Sequence, residues 1–442
     1  FADVTAPTMI ISAHNDGNSI VDGSSTNDAV LNLNFTCSEI TNNFVVGDIT
    51  ATGGSISNFT AANSYVYKAV FTPSTSGSSQ INVAANSFTD QAQNSNTVAS
   101  QFNWTYDGIA PTMTITASDG IITVNDGSTT NNGLLYLTFT SSEPTTNFES
   151  EDISTTGGTI SNFAASSSSV YFATFTPSVK GATTISVPTN KFTDAVKNGN
   201  NATDQFNWIY DGEGPTMTIT AASGSNTILD GTTTNDTFLI LTFTSSEATT
   251  NFAVGDISVS GGVLSNFGAS SSTVYTAKFT PSDDGATTID VAADGFTDAS
   301  GNNNTAATQF NWTYDATGPT MTIASSTVSS GDTSNDATID LTFTSNEATT
   351  DFAVGDISVS GGAISNFSAA SSTIYTATFT PSGSGATTVD VSSSSFTDAV
   401  GNNNTAATQF TWTYDGTPPT MAITAAAGGG AVSSGSTTND AT

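Results

Sequence analysis

The stretch FNWTYDGIAPTMTIT, Phe102–Thr116, decides the fold because close copies of it recur along the chain. FNWIYDGEGPTMTIT begins at Phe206, FNWTYDATGPTMTI at Phe310 and FTWTYDGTPPTMAIT at Phe410. Each copy joins an alternating aromatic segment to a Tyr-Asp pair, a short turn and Pro-Thr-Met. Such a recurrence is either one binding site repeated or one structural joint repeated, and we favour the joint.

The spacing of the copies defines a repeated unit. The only tryptophans, Trp104, Trp208, Trp312 and Trp412, are 104, 104 and 100 residues apart, and all five methionines stand in Pro-Thr-Met. Solenoid repeats have periods of about 20–50 residues, whereas a unit of this length can bury its own core. We therefore expect tandem domains at 1–107, 108–211, 212–315 and 316–415, with the start of a fifth at 416–442.

Within a unit, apolar residues alternate with polar ones, which is the period of a β-strand. In the third unit the alternation is clear in LILTFT from Leu239, VYTAKFTP from Val274 and QFNWTYD from Gln309. About seven such segments are separated by turn residues, and no helical period occurs. This pattern is typical of an immunoglobulin-like sandwich. The sequence therefore predicts an all-β protein, a tandem array of immunoglobulin-like β-sandwich domains of about seven strands each.

The recurring aromatic and sulfur-containing residues are predicted to be core residues. Trp and Tyr of the last strand share one face, so burial explains them better than a sugar-binding platform does. The methionines fall in the first strand. Cys37 is the only cysteine, which excludes an intrachain disulfide, and it stands where the other units have Ser, so we expect a small buried residue.

The charge balance excludes several partners. The 442 residues include 5 Lys, no Arg and 38 Asp or Glu, for a net charge of −33. Nucleic-acid binding needs clustered cations, so no nucleic acid is expected. No run of 18 apolar residues occurs, so no membrane insertion is expected either. Cations and a salty medium suit such a chain.

Because the chain starts at Phe1 and stops within a repeat, we expect a piece of a longer protein.

Four acidic positions recur in each unit. One Glu follows the second strand, one Asp precedes the last strand in FTD, and one Asp ends the last strand in Tyr-Asp. In an immunoglobulin-like topology, the first two share the pole where the preceding unit ends. We therefore expect four sets to converge: Asp3, Glu39 and Asp90; Asp107, Glu143 and Asp194; Asp211, Glu247 and Asp298; Asp315, Glu347 and Asp398.

A fourth acid begins the third strand and is a further candidate for the same pole: Asp48, Asp152, Asp256 and Asp356. Converging carboxylates, with backbone carbonyls and Asn side chains, suit Ca²⁺, which takes about 6–8 oxygens. Without a cation they would repel one another. The alternative is turn chemistry alone, in which Asp caps a turn and Glu is solvated. We predict Ca²⁺ sites that stiffen the domain junctions.

The segments VGDIS, GG.ISNF, FTDA.GN and QF.WTYD, followed by Pro-Thr-Met, resemble the bacterial Ig-like repeats of giant secreted adhesins and other surface proteins. The resemblance covers essentially the whole chain. It implies an extracellular location at the cell surface and a role as an extender. Many such modules bind calcium near domain junctions, which agrees with the acidic sets.

Catalysis is not indicated. His14 is the only histidine, so no Ser-His or Cys-His arrangement can recur, and no phosphate-binding or dinucleotide-binding motif is present. Carboxylate pairs alone could support glycoside chemistry, but a set repeated at each junction is better explained as a metal joint. We expect no enzymatic activity.

The sequence favours a structural stalk of a cell-surface adhesin, and no residue pattern indicates its adhesive target. The alternative is a subunit that self-associates into an extracellular filament, sheath or surface layer, with edge strands pairing between chains. A third hypothesis is a carbohydrate- or ice-binding module, which requires a flat, regular face of exposed Thr or aromatic residues on one sheet.

Overall fold

The computed structural model describes residues 2–41, 43–145, 147–349, 351–427 and 429–438. The chain divides into two compact units. One comprises residues 1–214 with 300–302, and the other comprises residues 215–299 with 303–442. The described residues form strands and four single turns of 3-10 helix: Val46–Asp48, Ser150–Asp152, Val254–Asp256 and Val354–Asp356. None of these helical segments is long and apolar enough to cross a membrane.

Nine strands build the first domain as two packed sheets. One sheet has the order β2-β1-β4-β7-β6 and the other the order β3-β9-β8-β5. Neighbouring strands are antiparallel except β3 and β9, which are parallel. The strands are β1 (Met9–Asn15), β2 (Asn18–Ile20), β3 (Ser25–Thr26), β4 (Leu31–Cys37), β5 (Ile49–Thr52), β6 (Gly54–Ala61), β7 (Val66–Pro73), β8 (Gly77–Val83) and β9 (Phe102–Tyr106).

The second domain repeats this arrangement in the same unit. Its sheets have the orders β11-β10-β13-β16-β15 and β12-β18-β17-β14. The strands are β10 (Met113–Ser118), β11 (Thr123–Val124), β12 (Thr129–Thr130), β13 (Leu135–Ser141), β14 (Ser154–Thr156), β15 (Gly158–Ala165), β16 (Val170–Pro177), β17 (Gly181–Ser186) and β18 (Phe206–Tyr210).

The other unit holds the third and fourth domains and a final hairpin. The third domain contains β19 (Met217–Ser223), β20 (Asn226–Ile228), β21 (Thr232–Thr234), β22 (Leu239–Ser245), β23 (Ile257–Ser260), β24 (Gly262–Ala269), β25 (Val274–Pro281), β26 (Gly285–Val291) and β27 (Phe310–Tyr314). The fourth contains β28 (Met321–Ser325), β29 (Thr333–Ser334), β30 (Ile339–Ser345), β31 (Ile357–Ser360), β32 (Gly362–Ala369), β33 (Ile374–Pro381), β34 (Gly385–Val391) and β35 (Phe410–Tyr414). The hairpin pairs β36 (Ala425–Ala427) with β37 (Gly430–Val432).

The all-β immunoglobulin-like fold is confirmed, with short additions that the sequence did not predict. The central long strands bury alternate residues, as in β22, where Leu239, Leu241 and Phe243 are fully buried. The long edge strands β6, β15, β24 and β32 contain no fully buried residue. Short strands such as β20 and β21 complete the edges in the third domain. Among the described residues of the fourth domain there is no counterpart of β20, and the first loop of this domain is four residues shorter.

Most of the predicted core residues are buried, although the last-strand tyrosines are only half-buried. The prediction is wrong for Met421, which is 88% exposed because the described residues after 415 form only a two-stranded hairpin and build no core around it. Trp104, Trp208, Trp312 and Trp412 are at most 2% exposed, which excludes them as a sugar-binding platform. In the first domain, aromatic rings also pack around Phe44, whose ring centroid lies 5.0–5.6 Å from the centroids of four other aromatic rings. Cys37 is 3% exposed, and burial raises the pKa of its thiol to about 11.

A β-bulge marks the same edge strand in each domain. Asn58, Asn162, Asn266 and Asn366 have φ of 53–54°, and the pairing register shifts beside each of them. Asn tolerates this left-handed conformation better than most residues do. The bulge interrupts a long edge strand and so makes pairing with another chain less favourable.

Candidate metal centre

The loop that follows the second long strand is fixed against the FTD loop. In the first domain Thr41 forms an isolated β-bridge with Asp90, and the hydroxyl of Tyr67 donates to the carbonyl of Thr41 at 2.7 Å. The same bridge joins Thr145 to Asp194 and Thr349 to Asp398, with a tyrosine hydroxyl at 2.9 Å from each threonine carbonyl. The backbone thus brings the Glu of one loop close to the Asp of the other.

A buried asparagine organises the FTD loop from within. Asn96 is 2% exposed. Its carbonyl oxygen accepts from the amides of Ser87 and Phe88 at 2.7 and 3.0 Å, and its amide donates to the carbonyls of Ala84 and Thr97 at 2.8 and 2.7 Å. Its counterparts Asn200, Asn304 and Asn404 are equally buried. Because all its bonds are made inside the domain, this asparagine gives the loop a fixed shape.

The Asp of the FTD loop closes a turn with its own carboxylate. Oδ1 of Asp194 accepts from the amides of Val196 and Asn198 at 2.9 and 2.8 Å, while Oδ2 accepts from the Asn198 side chain at 2.8 Å. The turn chemistry considered from the sequence is therefore present. The carboxylate can still bind another group, because Oδ2 accepts only one hydrogen bond and has two lone pairs.

A second asparagine joins this turn to the end of the preceding last strand. The side-chain amide of Asn198 donates to the backbone carbonyl of Asp107 at 2.8 Å, across the junction between the first and second domains. In the other unit, Asn402 makes the same bond to Asp315 at 2.8 Å. At the start of the first domain, the side-chain amide of Asn94 donates to the backbone carbonyl of Asp3 at 3.2 Å. The strand-end Asp is thus held beside the two loops of the following domain.

Three acidic clusters result from these contacts, and each lies within one compact unit. In each cluster one carboxylate oxygen per residue lies within 4.8 Å of the others. The Asp of the FTD loop is buried in each, and the Glu is half-buried. The clusters are Asp3, Glu39 and Asp90; Asp107, Glu143 and Asp194; and Asp315, Glu347 and Asp398. In the first domain the carboxylates line a shallow hollow with Ile40 and Tyr65.

The charges in each cluster oppose one another. Burial and the neighbouring Asp carboxylates raise the pKa of Glu143 above its ordinary value. The same causes, in the same order, raise the pKa of Glu39 and of Glu347. Asp284 adds a further negative charge near Glu347. A cation placed among the carboxylates would relieve this repulsion.

The donor set fits a hard cation. Each cluster offers three carboxylates and no nitrogen or sulfur ligand among its acidic members. Oxygen-only sets of this kind favour Ca²⁺ or Mg²⁺ over Zn²⁺ or copper. Ca²⁺ requires about 6–8 oxygens, which three carboxylates binding through one or both oxygens can largely supply.

The third predicted set, Asp211, Glu247 and Asp298, combines residues of both compact units, and it stays a prediction. Within its own unit, Asp211 is the strand-end residue of the second domain. Nζ of Lys180 lies 2.7 Å from Oδ1 of Asp211 and 3.8 Å from Glu213. Burial opposes ionisation of Asp211, but Lys180 and hydrogen bonds outweigh it, so its pKa is lowered.

The acids of the third strand lie apart from the clusters. Asp48 ends a 3-10 turn, and its Oδ2 accepts from the amide of Val45 at 2.8 Å. Asp152, Asp256 and Asp356 make the same contact at 2.8–2.9 Å. Within the ranges that the structure describes, none of these four carboxylates belongs to a cluster. The structure gives them a capping role.

Sequence reasoning did not single out the asparagines that hold the site. The donor to the strand-end carbonyl is Asn94, Asn198, Asn302 or Asn402 by sequence position, and the buried loop asparagine follows two residues later. Both recur at a fixed distance from the FTD acid. That recurrence is the signal that could have found them.

Comparison with known proteins agrees with this repeated geometry. A family model described as "Bacterial Ig-like domain" matches residues 3–106, 107–210, 211–314 and 315–414. The chain belongs to the bacterial Ig-like domain family. The family resemblance read from the sequence is thereby confirmed. A comparison with curated proteins gave no match.

Several solved structures are also similar to this chain. Invasin, titled a bacterial integrin-binding protein, is 15% identical with a TM-score of 0.33, and the similarity covers 93% of this chain and 79% of invasin. InvD of Yersinia pseudotuberculosis is 12% identical with a TM-score of 0.26, over 94% of this chain and 99% of InvD. The adhesin InvE of the same organism is 14% identical with a TM-score of 0.18, over 46% and 58% of the two chains.

Proposed function

We propose that this protein is the Ig-like stalk of a cell-surface adhesin, stiffened by Ca²⁺ at its domain junctions. The observation that carries the proposal is the repeated cluster that joins a strand end to two loops of the following domain. Asp107 comes from the end of the first domain, whereas Glu143 and Asp194 come from the second. A cation bound to all three would connect the two domains.

The residues that would hold Ca²⁺ are Asp107, Glu143 and Asp194 at the first junction, and Asp315, Glu347 and Asp398 in the other unit. Asp3, Glu39 and Asp90 would form an equivalent site at the start of the first domain. When bound, the cation neutralises the opposing carboxylates and fixes their positions. Extracellular modules bind Ca²⁺ with dissociation constants of about 10⁻⁴–10⁻³ M, and we expect this range here.

Several features support a structural, non-enzymatic and extracellular role. The four domains have the same fold, and each has its own equivalent core, so none is distinguished as a catalytic domain. The net charge of −33 suits a chain that stays dissolved in salty water. The absence of disulfides leaves a metal as the available staple. A filament, sheath or surface layer built by self-association remains the alternative.

Calcium titration of the full chain by isothermal calorimetry tests the proposal. The double variant Glu143→Gln with Asp194→Asn keeps the shape of both side chains and removes two of the three charges from one cluster. We expect wild type to bind Ca²⁺ at several sites and the double variant to bind one ion fewer.

The matched control is Glu149→Gln, the same chemical change at an exposed residue of the same domain that lies outside the cluster. It should leave the number of bound ions unchanged. If wild type binds no Ca²⁺ at millimolar concentration, the carboxylates only stabilise the turns, and the proposal that calcium stiffens the domain junctions is wrong. An unchanged stoichiometry in the double variant would show that calcium binds elsewhere.

A further inference from the structure

The second domain exposes two aromatic rings on the outer face of one of its sheets. Tyr136 on β13 is 48% exposed and Phe172 on β16 is 47% exposed. Residue 136 pairs with Thr174, and residue 172 pairs with Thr138. The two rings are therefore diagonal neighbours on adjacent strands, a separation that aromatic side chains can bridge.

Polar groups border the rings. The hydroxyl of Thr174 lies 2.8 Å from that of Ser161 and accepts from the side-chain amide of Asn162 at 3.1 Å. The β-bulge at Asn162 places these groups at the edge of the same face. The outer face of the second domain thus combines apolar ring surface with adjacent hydroxyl and amide groups.

The backbone next to the rings is adapted to them. Gly120 has φ of +97°, and a Cβ added to it would lie 3.0 Å from the ring of Tyr136. A larger residue would be strained and would press against the ring. Gly120 therefore allows the tyrosine ring to lie close to the hairpin between β10 and β11.

This face is neutral in the second domain and charged in the others. The paired positions across the four strands are Ser118, Tyr136, Thr174 and Ser161 in one row, and Thr116, Thr138, Phe172 and Ala164 in the next. The equivalent rows include Lys68 in the first domain, Lys278 in the third and Asp340 in the fourth. A neutral ligand suits the second domain alone.

The size of the patch favours a small occupant. A fully covered aromatic side chain buries about 150–250 Å², so two half-exposed rings offer roughly 200 Å². Ile121 and Ile122, 92% and 64% exposed after Gly120, add apolar surface nearby. A standard protein interface uses about 800 Å² and about 20–30 residues a side, far more than these four side chains.

We propose that this face of the second domain binds a neutral sugar ring of a glycan. One face of a pyranose presents C–H groups that pack on the electron-rich faces of Tyr136 and Phe172. Its hydroxyl groups reach the exposed side chains of Ser161 and Asn162. This binding is independent of the calcium joint, because no carboxylate of the acidic clusters takes part in it.

The test uses saturation-transfer NMR on the full chain with four neutral oligosaccharides: cellohexaose, laminarihexaose, mannohexaose and chitohexaose. The variant carries Tyr136→Asn and Phe172→Thr, the residues that stand at these positions in the first and third domains. Because sister domains fold with them, the variant should fold. We expect at least one oligosaccharide to bind wild type and to bind the variant roughly a hundredfold more weakly, about tenfold for each ring.

The control is Phe238→Thr, which removes a ring that is 37% exposed in the third domain, introduces the residue of the fourth domain and should not change binding. Three results would overturn the proposal. Wild type could bind none of the four sugars at millimolar concentration. The double variant could bind as tightly as wild type. Alternatively, wild type could sediment as a dimer that the double variant abolishes, which would identify a second copy of the chain as the occupant.

Discussion

The side chain of Asn198 is predicted to stabilise the first junction by connecting the end of the first domain to a loop of the second. Its amide donates to the carbonyl of Asp107 and to Oδ2 of Asp194, both at 2.8 Å. Replacing Asn198 with Ala removes both bonds but keeps the backbone amide that donates to Oδ1 of Asp194. The buried carboxylate of Asp194 then has fewer donors, and the strand-end carbonyl has lost its link to the second domain.

The magnitude follows from the two lost bonds. A neutral hydrogen bond contributes about 0.5–1.5 kcal/mol, and one to a charged group about 1.5–3 kcal/mol. Asn198→Ala should therefore cost about 2–4 kcal/mol of local stability in the absence of calcium. At about 1.4 kcal/mol per factor of ten, this loss corresponds to roughly 30- to 700-fold faster opening of the loop.

Hydrogen exchange followed by mass spectrometry measures this opening on the full chain. The relevant amides are those of Asp194, which donates to the carbonyl of Asn198, and of Asn200, which donates to the carbonyl of Phe192. In chelator, both should exchange faster in Asn198→Ala by the factor given above. The control is Asn201→Ala, whose side chain is exposed and whose backbone amide donates to Pro111.

The reasoning would be refuted if exchange in residues 192–200 were the same in Asn198→Ala as in Asn201→Ala. The hydrogen bonds of Asn198 would then contribute nothing to the loop. Faster exchange confined to the first domain would be equally contrary, because the turn that Asn198 closes belongs to the second domain.

Four further predictions concern charge, packing and assembly. In chelator at pH 7, Glu143→Gln should raise the melting temperature, because the raised pKa of Glu143 means that its ionised form destabilises the fold; the gain should fade as pH falls toward 4.5, measured by calorimetry. Lys180→Ser should cost less than about 1 kcal/mol at neutral pH, since Lys180 is 38% exposed, and nothing well below pH 3.8, where Asp211 is protonated. Phe148→Ala should destabilise the second domain by about 3–5 kcal/mol in denaturant unfolding, because four aromatic rings lie 5.0–5.7 Å from it. Sedimentation should show a monomer, whereas a defined polymer would favour the filament alternative.

The long strands could be predicted from the sequence because burial of one sheet face imposes a strict two-residue alternation. Leu239, Leu241 and Phe243 show it directly, and the recurrence of Trp fixed the length of the unit. Short strands such as β20 (Asn226–Ile228) carry too few residues for alternation to show. Their pairing depends on the neighbouring strand rather than on their own sequence.

The acidic clusters could be anticipated from topology, because loops at one pole of a sandwich must lie close together. The same topological argument makes Asp48 a candidate, although its carboxylate caps its own turn. The direction of a side chain in a loop follows from local dihedral angles, which the sequence pattern does not specify. For the same reason, the donor roles of Asn94 and Asn198 became visible only in the structure.

The aromatic face of the second domain could not be predicted from the repeated pattern, because it does not recur in the other domains. Tyr136 and Phe172 occupy outward positions that hold different residues in every other domain. The features that recur in every domain are those of the core and of the domain junctions. Features that distinguish one domain, such as these rings, require the pairing register of the strands.

The central claim, that calcium stiffens the first junction, is tested most directly by a distance distribution between spin labels in the first and second domains. Labels at Thr72→Cys and Thr176→Cys occupy exposed strand positions, and Cys37→Ser removes the native thiol by adopting the residue of the other domains. Pulsed electron spin resonance should give a narrow distribution in millimolar Ca²⁺ and a broad one in chelator. With Glu143→Gln and Asp194→Asn added, the distribution should stay broad in both. Equal widths with and without calcium in the labelled protein lacking these two changes would contradict the claim.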